Sequence, residues 1–399
     1  IMRKLSLTVI GMYVSILAAF SQNTSDSSLY KNRKLSLEEI NFVSGYYQQD
    51  GNNSAVTGGI GSEKLTDLAN TFELKLSKYD NRFRKHSLNL ELGIDHYSSA
   101  SSDKIDPSTI SSPSHADTRI YPSLGWTVEN EKKKTTWGLT GSFSNEFDYK
   151  SIGLGASFTK ASKDNNREFT AKLQTYFDRW SVIYPVELRA PSVRSGNGIQ
   201  GHSPRNSYNT SFSLSQVIDQ NLQLLIIAEP SYQSGLLATK YQRVYFTDGT
   251  KLTETLPGTR MKIPVGIRAN YFLGDRFIIR SFYRYYQDNW GLKAHTIEME
   301  LPVKITPFFS LSPFYRFYSQ NAVDYFAPYA QHNPAEKYFT SDYDLSKFTS
   351  HFFGTGIRLA PPTGILRVQR LNSLEIRYGH YQRSNGLQSN QISLHLTWK

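Results

Sequence analysis

The stretch RMKIPVGIRANYF, Arg260 to Phe272, decides the fold. Met261, Ile263, Val265, Ile267, Ala269 and Tyr271 fall on one parity, and Arg260, Lys262, Pro264, Gly266, Arg268 and Asn270 on the other. Unbroken alternation over this length marks a strand with one apolar and one polar face. The pattern continues outward in both directions. Downstream, Phe277, Ile279, Tyr283 and Tyr285 oppose Arg280 and Arg284; Ile297, Met299, Leu301, Val303 and Ile305 oppose Glu298 and Glu300; Phe309, Leu311, Pro313, Tyr315 and Phe317 oppose Ser310, Ser312 and Arg316. Upstream it appears in Leu88–Ile94, Trp137–Phe143, Ile152–Phe158, Phe169–Leu173 and Leu222–Ala228, and it returns at the end in Ile392, Leu394, Leu396 and Trp398.

Alternating strands build either a soluble sandwich or solenoid, or a transmembrane barrel. Soluble strands usually hold five or six residues, whereas a tilted bilayer-spanning strand takes roughly 9–11, the length most of these segments keep. Tyr and Phe gather toward strand ends, as in FYRYYQDNW and FYRFYSQN, where a membrane–water girdle sits. Short links near 129–134, 163–166, 219–221, 273–276 and 305–308 alternate with long ones near 98–117, 179–205, 233–258 and 321–347. The reading is therefore all-β: an antiparallel transmembrane β-barrel of about sixteen strands, with fourteen or eighteen if one weak pair is misread. Short turns face the periplasm and long loops the exterior. Tyr241–Thr247 is read as a small arm within one loop.

Around this barrel the rest of the chain arranges itself. IMRKLSLTVIGMYVSILAAFSQ, with Arg3 and Lys4 ahead of an apolar run and small residues before Gln22, reads as a secretory signal peptide over residues 1–21. A short flexible periplasmic segment over 22–34 and a barrel over 35–399 follow. The 399 residues include no cysteine, which excludes disulfides, thiol nucleophiles and Cys-ligated metals. Lys+Arg 45 against Asp+Glu 34 gives +11, or +9 once Arg3 and Lys4 leave with the signal. In an exported chain that excess suits anionic headgroups or anionic solutes, and no nucleic-acid role is expected.

If the apolar parity faces lipid, the other lines a lumen. Lys262, Arg268, Arg280, Arg284, Glu298, Glu300, Arg316, Arg358, Glu375 and Arg377 are the candidate lumen residues. Such charges either pair across strands as structural wall or form an anion-attracting face, to which the always-charged planar guanidinium is suited. Glu73, Glu91, Asp95 and Glu229 suggest an acidic portion elsewhere on the wall. The nine histidines show no metal-ligand spacing, although His295 and His395 could meet in space; no metal and no cofactor are expected. There is no Gly-x-Ser-x-Gly elbow, and the expectation is that the protein is not an enzyme. Aromatic segments DYFAPY (324–329) and YFTSDY (338–343), with the Gly/Pro/Arg-rich 189–205, either bind a protein or glycan or fold inward as a cap.

The loop after the first strand carries Asp50, Gly51, Asn52, Gly58, Gly59 and Gly61. Only Asp50 is acidic before Glu63, so an EF-hand does not fit, and no Lys-Ser/Thr follows the glycines as a phosphate cradle needs. The local chemistry is that of turns in a constrained loop. YYQQDGNNSAVTGGIGSEKLTD, together with HYSSASSDKIDP (His96 to Pro107), resembles the signature of the outer-membrane family called domain of unknown function 3570 (DUF3570). That resemblance implies an exported Gram-negative outer-membrane barrel, often encoded beside a flavin-transferase lipoprotein and a small lipoprotein, with no catalytic residues to carry over. The function expected is a channel or an assembly partner for a lipoprotein system.

Overall fold

A computed structural model describes residues 34–98, 116–189 and 199–399; the expected signal peptide and all but Lys34 of the segment after it lie outside the described residues. Among the described residues there are twenty strands: β1 (Ser36–Asp50), β2 (Leu65–Tyr79), β3 (Lys85–Ser98), β4 (Ala116–Asn130), β5 (Thr135–Asn145), β6 (Tyr149–Ala161), β7 (Arg167–Ile183), β8 (Ile199–Val217), β9 (Leu222–Ala228), β10 (Ser231–Gly235), β11 (Arg243–Tyr245), β12 (Lys251–Thr253), β13 (Thr259–Leu273), β14 (Phe277–Asp288), β15 (Lys293–Glu300), β16 (Val303–Thr306), β17 (Phe309–Gln320), β18 (Phe348–Leu359), β19 (Leu371–Arg383) and β20 (Gln388–Trp398). All but β11 and β12 belong to one antiparallel sheet. Its ends meet: β1 pairs with β20 from Ile40 opposite Trp398 to Asp50 opposite Gln388, which closes the barrel.

Sixteen staves make the wall, as the alternation predicts, because two staves are each built of two strands. β9 and β10 both bridge β8 and β13 and are separated by Glu229-Pro230. β15 and β16 lie between β14 and β17 and are separated by Leu301-Pro302. Proline offers no N–H to the ladder and interrupts it at both places. β11 and β12 form the expected small arm within the loop that follows β10.

The parity read from sequence fixes which way side chains point. Large apolar residues on one face of every stave stand open, with Leu139 57 %, Met299 55 %, Ile297 49 % and Ile392 50 % exposed. A continuous band of this size is untenable in water and is satisfied by lipid. Val265 and Ile267, like Ile297 and Met299, belong to that exposed face. At its edge, polar atoms pair with one another: the Tyr283 hydroxyl meets His295 Nδ1 at 2.9 Å, Tyr315 meets His351 Nδ1 at 2.8 Å, and Asn390 Oδ1 serves both Tyr378 and His380 at 2.9 Å. His295 is therefore on the outer face. His395 contacts Asn41 Oδ1 at 3.2 Å on the inner one, so the two histidines do not meet.

Most of the buried apolar core sits in the loops and at the adjoining strand ends. Trp290, Leu292, Ala294, Val323, Leu256 and Ala238 pack together at the long-loop end, and Val244, Phe246 and Phe339 form a second cluster there.

Candidate functional site

The inner face of β13 to β19 carries the ten candidate charges, and the register sorts them into two groups. Arg280 on β14 and Arg377 on β19 both reach Glu300 on β15, at 3.0 and 2.9 Å, and Arg377 also bonds Glu375 at 3.2 Å. Arg377 spans β17 and β18 to do so. It lies over the Phe314 ring at 5.3 Å, and a side chain at Gly356 would stand 3.2 Å from its Cγ. These four charges offset one another. The others do not: Lys262, Arg268, Arg284, Arg316 and Arg358 hold no ion pair among the described residues, nor does Glu298. Arg268 and Arg316 are stacked on Phe282 and Phe352 at 5.2 and 4.8 Å, and Arg284 leaves a buried Nε without a partner. A guanidinium over an aromatic face is fixed in direction while its N–H edge stays free for an anion.

The opposite wall differs. On β2 and β3, Glu73 and Glu91 are direct cross-strand partners. Glu73 accepts from Asn41 at 3.1 Å, Asp95 accepts from the Tyr121 hydroxyl at 3.0 Å, and Asp67 keeps a buried, unpartnered Oδ1. Asp117, Glu146 and Asp148 bring one carboxylate oxygen each within 4.8 Å of the others at the rim above. Burial, then the charge of Glu146, pushes the Asp148 carboxyl up to about 6. Between the two walls lies a polar groove of about 470 Å³ lined by Tyr121, Tyr176, Gln174, Asn209, Asp178 and Arg205, among others. Arg205 bonds the buried Asp178 at 3.0 Å and stacks on Trp180 at 4.9 Å. This pair was not singled out in the sequence, because Arg205 sits in a stretch that reads as loop and is in fact strand.

Over the mouth the loops fold inward. The β10–β13 loop (residues 236–258) and the β17–β18 loop (321–347) are joined at Phe246 with His332, and at Thr255 with Phe339. Phe246 and Phe339 pack edge to face with centroids 4.9 Å apart. Glu254 is buried in this contact, accepting from Thr340 Oγ1 at 2.5 Å and from the Thr239 amide at 2.6 Å. Burial, then the charge of Asp342, pushes its carboxyl up to about 8. Arg243 donates to the Val56 carbonyl at 2.9 Å in the β1–β2 loop (51–64) and holds Glu187 at 2.6 Å. Burial raises the Glu187 carboxyl, but the Arg243 hydrogen bond and charge bring it down to about 2. The β1–β2 loop joins the first and second staves and the β10–β13 loop the ninth and tenth. These positions are half a circumference apart, so their contact crosses the mouth.

The loop singled out for its glycines belongs to this cap. Gly58 has φ +82, and a side chain there would meet the Tyr245 ring at 2.6 Å. At Gly59, φ +86, one would meet the Ser341 carbonyl at 2.8 Å. Left-handed backbone and close approach together require glycine. Gly51 and Gly61 lie on the loop's own bonds, with Glu63 N donating to the Gly51 carbonyl at 2.9 Å and Ser54 N to the Gly61 carbonyl at 3.2 Å; Asp50 and Asn52 are exposed. The aromatic segments are mostly cap as well: Tyr325 packs on Trp290 and Tyr338, and Phe326 on Tyr343, leaving Tyr329 as the exposed ring of DYFAPY.

A closed antiparallel barrel with a lipid-facing apolar band, an aromatic edge and a charged interior is a β-barrel protein of the Gram-negative outer membrane. Over residues 96–393 the chain matches the family described as Protein of unknown function (DUF3570), and it belongs to that family. No curated protein matches it. Among solved structures it is similar to a BenF-like porin from Pseudomonas fluorescens Pf-5, with TM-score 0.44 and 8 % identity, covering 92 % of this chain and 100 % of that one. It is similar to Pseudomonas aeruginosa OccK9 (OpdG), with TM-score 0.41 and 10 % identity over 92 % and 98 %. With the siderophore receptor PirA from Acinetobacter baumannii the TM-score is 0.46 at 11 % identity over 88 % of this chain, which spans about half that receptor, 53 %.

Proposed function

We propose that the barrel is a channel for small solutes whose anionic groups travel along the arginine wall, and that it acts by passage and not by catalysis. The observation that carries this reading is the set Arg268, Arg284 and Arg316, inward-facing guanidinium groups that hold no ion pair among the described residues and outnumber Glu298, the one unpaired carboxylate beside them in the register. In a narrow lumen with low-dielectric walls, uncompensated charge concentrates the opposite ion. The cap supports a restricted entrance, since loops from opposite sides touch above the lumen. It also takes most of the aromatic surface that binding a large partner from outside requires. The test is the reversal potential across a salt gradient for the wild type and for Arg284→Gln/Arg316→Gln. A clear loss of anion preference in the double variant supports the reading; an unchanged preference removes its basis.

Assembly with a small lipoprotein and a flavin-transferase system is proposed on the family resemblance alone. Extraction of native membranes in mild detergent, with every stoichiometric companion identified, decides it. Recovery of the barrel alone would set that partnership aside without touching the channel reading.

A further inference from the structure

The lumen has two walls of opposite sign. Asp67, Glu73, Glu91 and Asp95 line the second and third staves, while Arg268 and Arg284 line the tenth and eleventh, half a circumference away. Arg316 extends the basic wall to the thirteenth stave. The acidic wall does not neutralise itself. Glu73 and Glu91 face each other directly, an arrangement that destabilises a strand pair, and Glu91 has no hydrogen bond or ion pair among the described residues. Arg119, opposite Asp95 in the register, is directed to Ser144 at 3.0 Å and Glu146 at 3.4 Å, and Lys75, two residues from Glu73 on the same face, to Glu38 at 3.8 Å. On the far side Arg284 and Arg316 hold no ion pair either; Glu298 stands opposite Arg316 in the register without bonding it, and the two arginines with Arg268 leave that wall basic.

Two facing walls of opposite charge produce a field across the passage, since their contributions point the same way between them. An ion of either sign gains at one wall and loses at the other. A solute with an ammonium at one end and a carboxylate at the other gains at both when it lies across the lumen. We infer that the channel favours zwitterionic solutes, with the ammonium turned to Glu73, Glu91 and Asp67 and the carboxylate to Arg284 and Arg316. The inference rests on the channel reading and narrows its substrate class.

The full chain in proteoliposomes tests it, through osmotic swelling in γ-aminobutyrate and in erythritol. Both solutes are small and carry no net charge, so their ratio reports the paired end charges. The ratio should exceed one in the wild type. It should fall about threefold or more in Glu73→Gln/Glu91→Gln and also in Arg284→Gln/Arg316→Gln. For the wild-type protein it should shrink as salt rises from about 0.1 M to about 1 M and the Debye length contracts from roughly 10 Å to 3 Å, a measurement that needs no variant to fold. If erythritol passes but the ratio ignores salt and both exchanges, the inference is wrong and the channel stands. A fall with the arginine exchange alone also overturns it and points to anion recognition only. Passage of neither solute overturns the channel reading together with the inference.

Discussion

Arginine placed at Ile267 tests the register of the whole sheet. Met261, Ile263, Val265, Ile267, Ala269, Tyr271 and Leu273 form the outward row of β13, and Ile267 is its middle member, 43 % exposed. At about 3.3 Å per residue and a tilt near 40°, each residue moves the chain roughly 2.5 Å in depth. Met261, six residues away, then stands about 15 Å above Ile267, beyond the half-height of an apolar band about 25 Å tall. Ile267→Arg should cost about 2–4 kcal/mol, and Met261→Arg about 0–1 kcal/mol. Ser123→Arg, beside Glu91 on the inner face, meets water and a carboxylate and should cost no more than about 0.5 kcal/mol. Urea unfolding of barrels refolded into vesicles, followed by tryptophan fluorescence, gives all three values. Equal costs at Ile267 and Met261, or a larger cost at Ser123 than at Ile267, would refute the assignment of faces.

The cap yields three further expectations. Glu254 and Asp342 are pushed up to about 8 and about 6, chiefly by burial, so the closed cap holds protons that an opened one releases. Its stability is then greatest below the ordinary carboxylate range and falls as pH rises through about 8; loop proteolysis should increase from about pH 5 to about pH 9, and Glu254→Gln should flatten the rise. Arg243→Ala removes both the Val56 and the Glu187 contacts and should raise single-channel conductance by loosening the crossing of the mouth; an unchanged conductance would show that this crossing does not limit flow. Gly59→Ala, at φ +86 and against the Ser341 carbonyl, should cost about 1–3 kcal/mol locally and speed amide exchange across residues 51–64 while the strands stay protected.

The wall was legible in the sequence because a half-lipid, half-lumen strand leaves a period of two at every stave. The broken staves kept their parity through Glu229-Pro230 and Leu301-Pro302, which is why the count of sixteen survives the interruptions. Charge pairing was less legible. Arg280 and Arg284 look equivalent in YRYY and its surroundings, yet one is held by Glu300 and the other is not, a difference set by side-chain reach across strands. Arg377 reaching Glu300 over two intervening staves depends on Gly356, whose role no local pattern reveals. The cap was least legible: Arg243 meets Val56 across 187 positions, and loop residues carry no period to announce a core.

Conductance of the purified, refolded chain in a planar bilayer is the direct test of whether the lumen is open and anion-attracting. An open lumen with an arginine wall gives discrete steps with an anion preference at about 0.1 M KCl that fades at about 1 M as the Debye length falls from roughly 10 Å to 3 Å. No steps in the wild type and none in Arg243→Ala, or steps whose preference is indifferent to salt, would contradict an open lumen with a charged arginine wall.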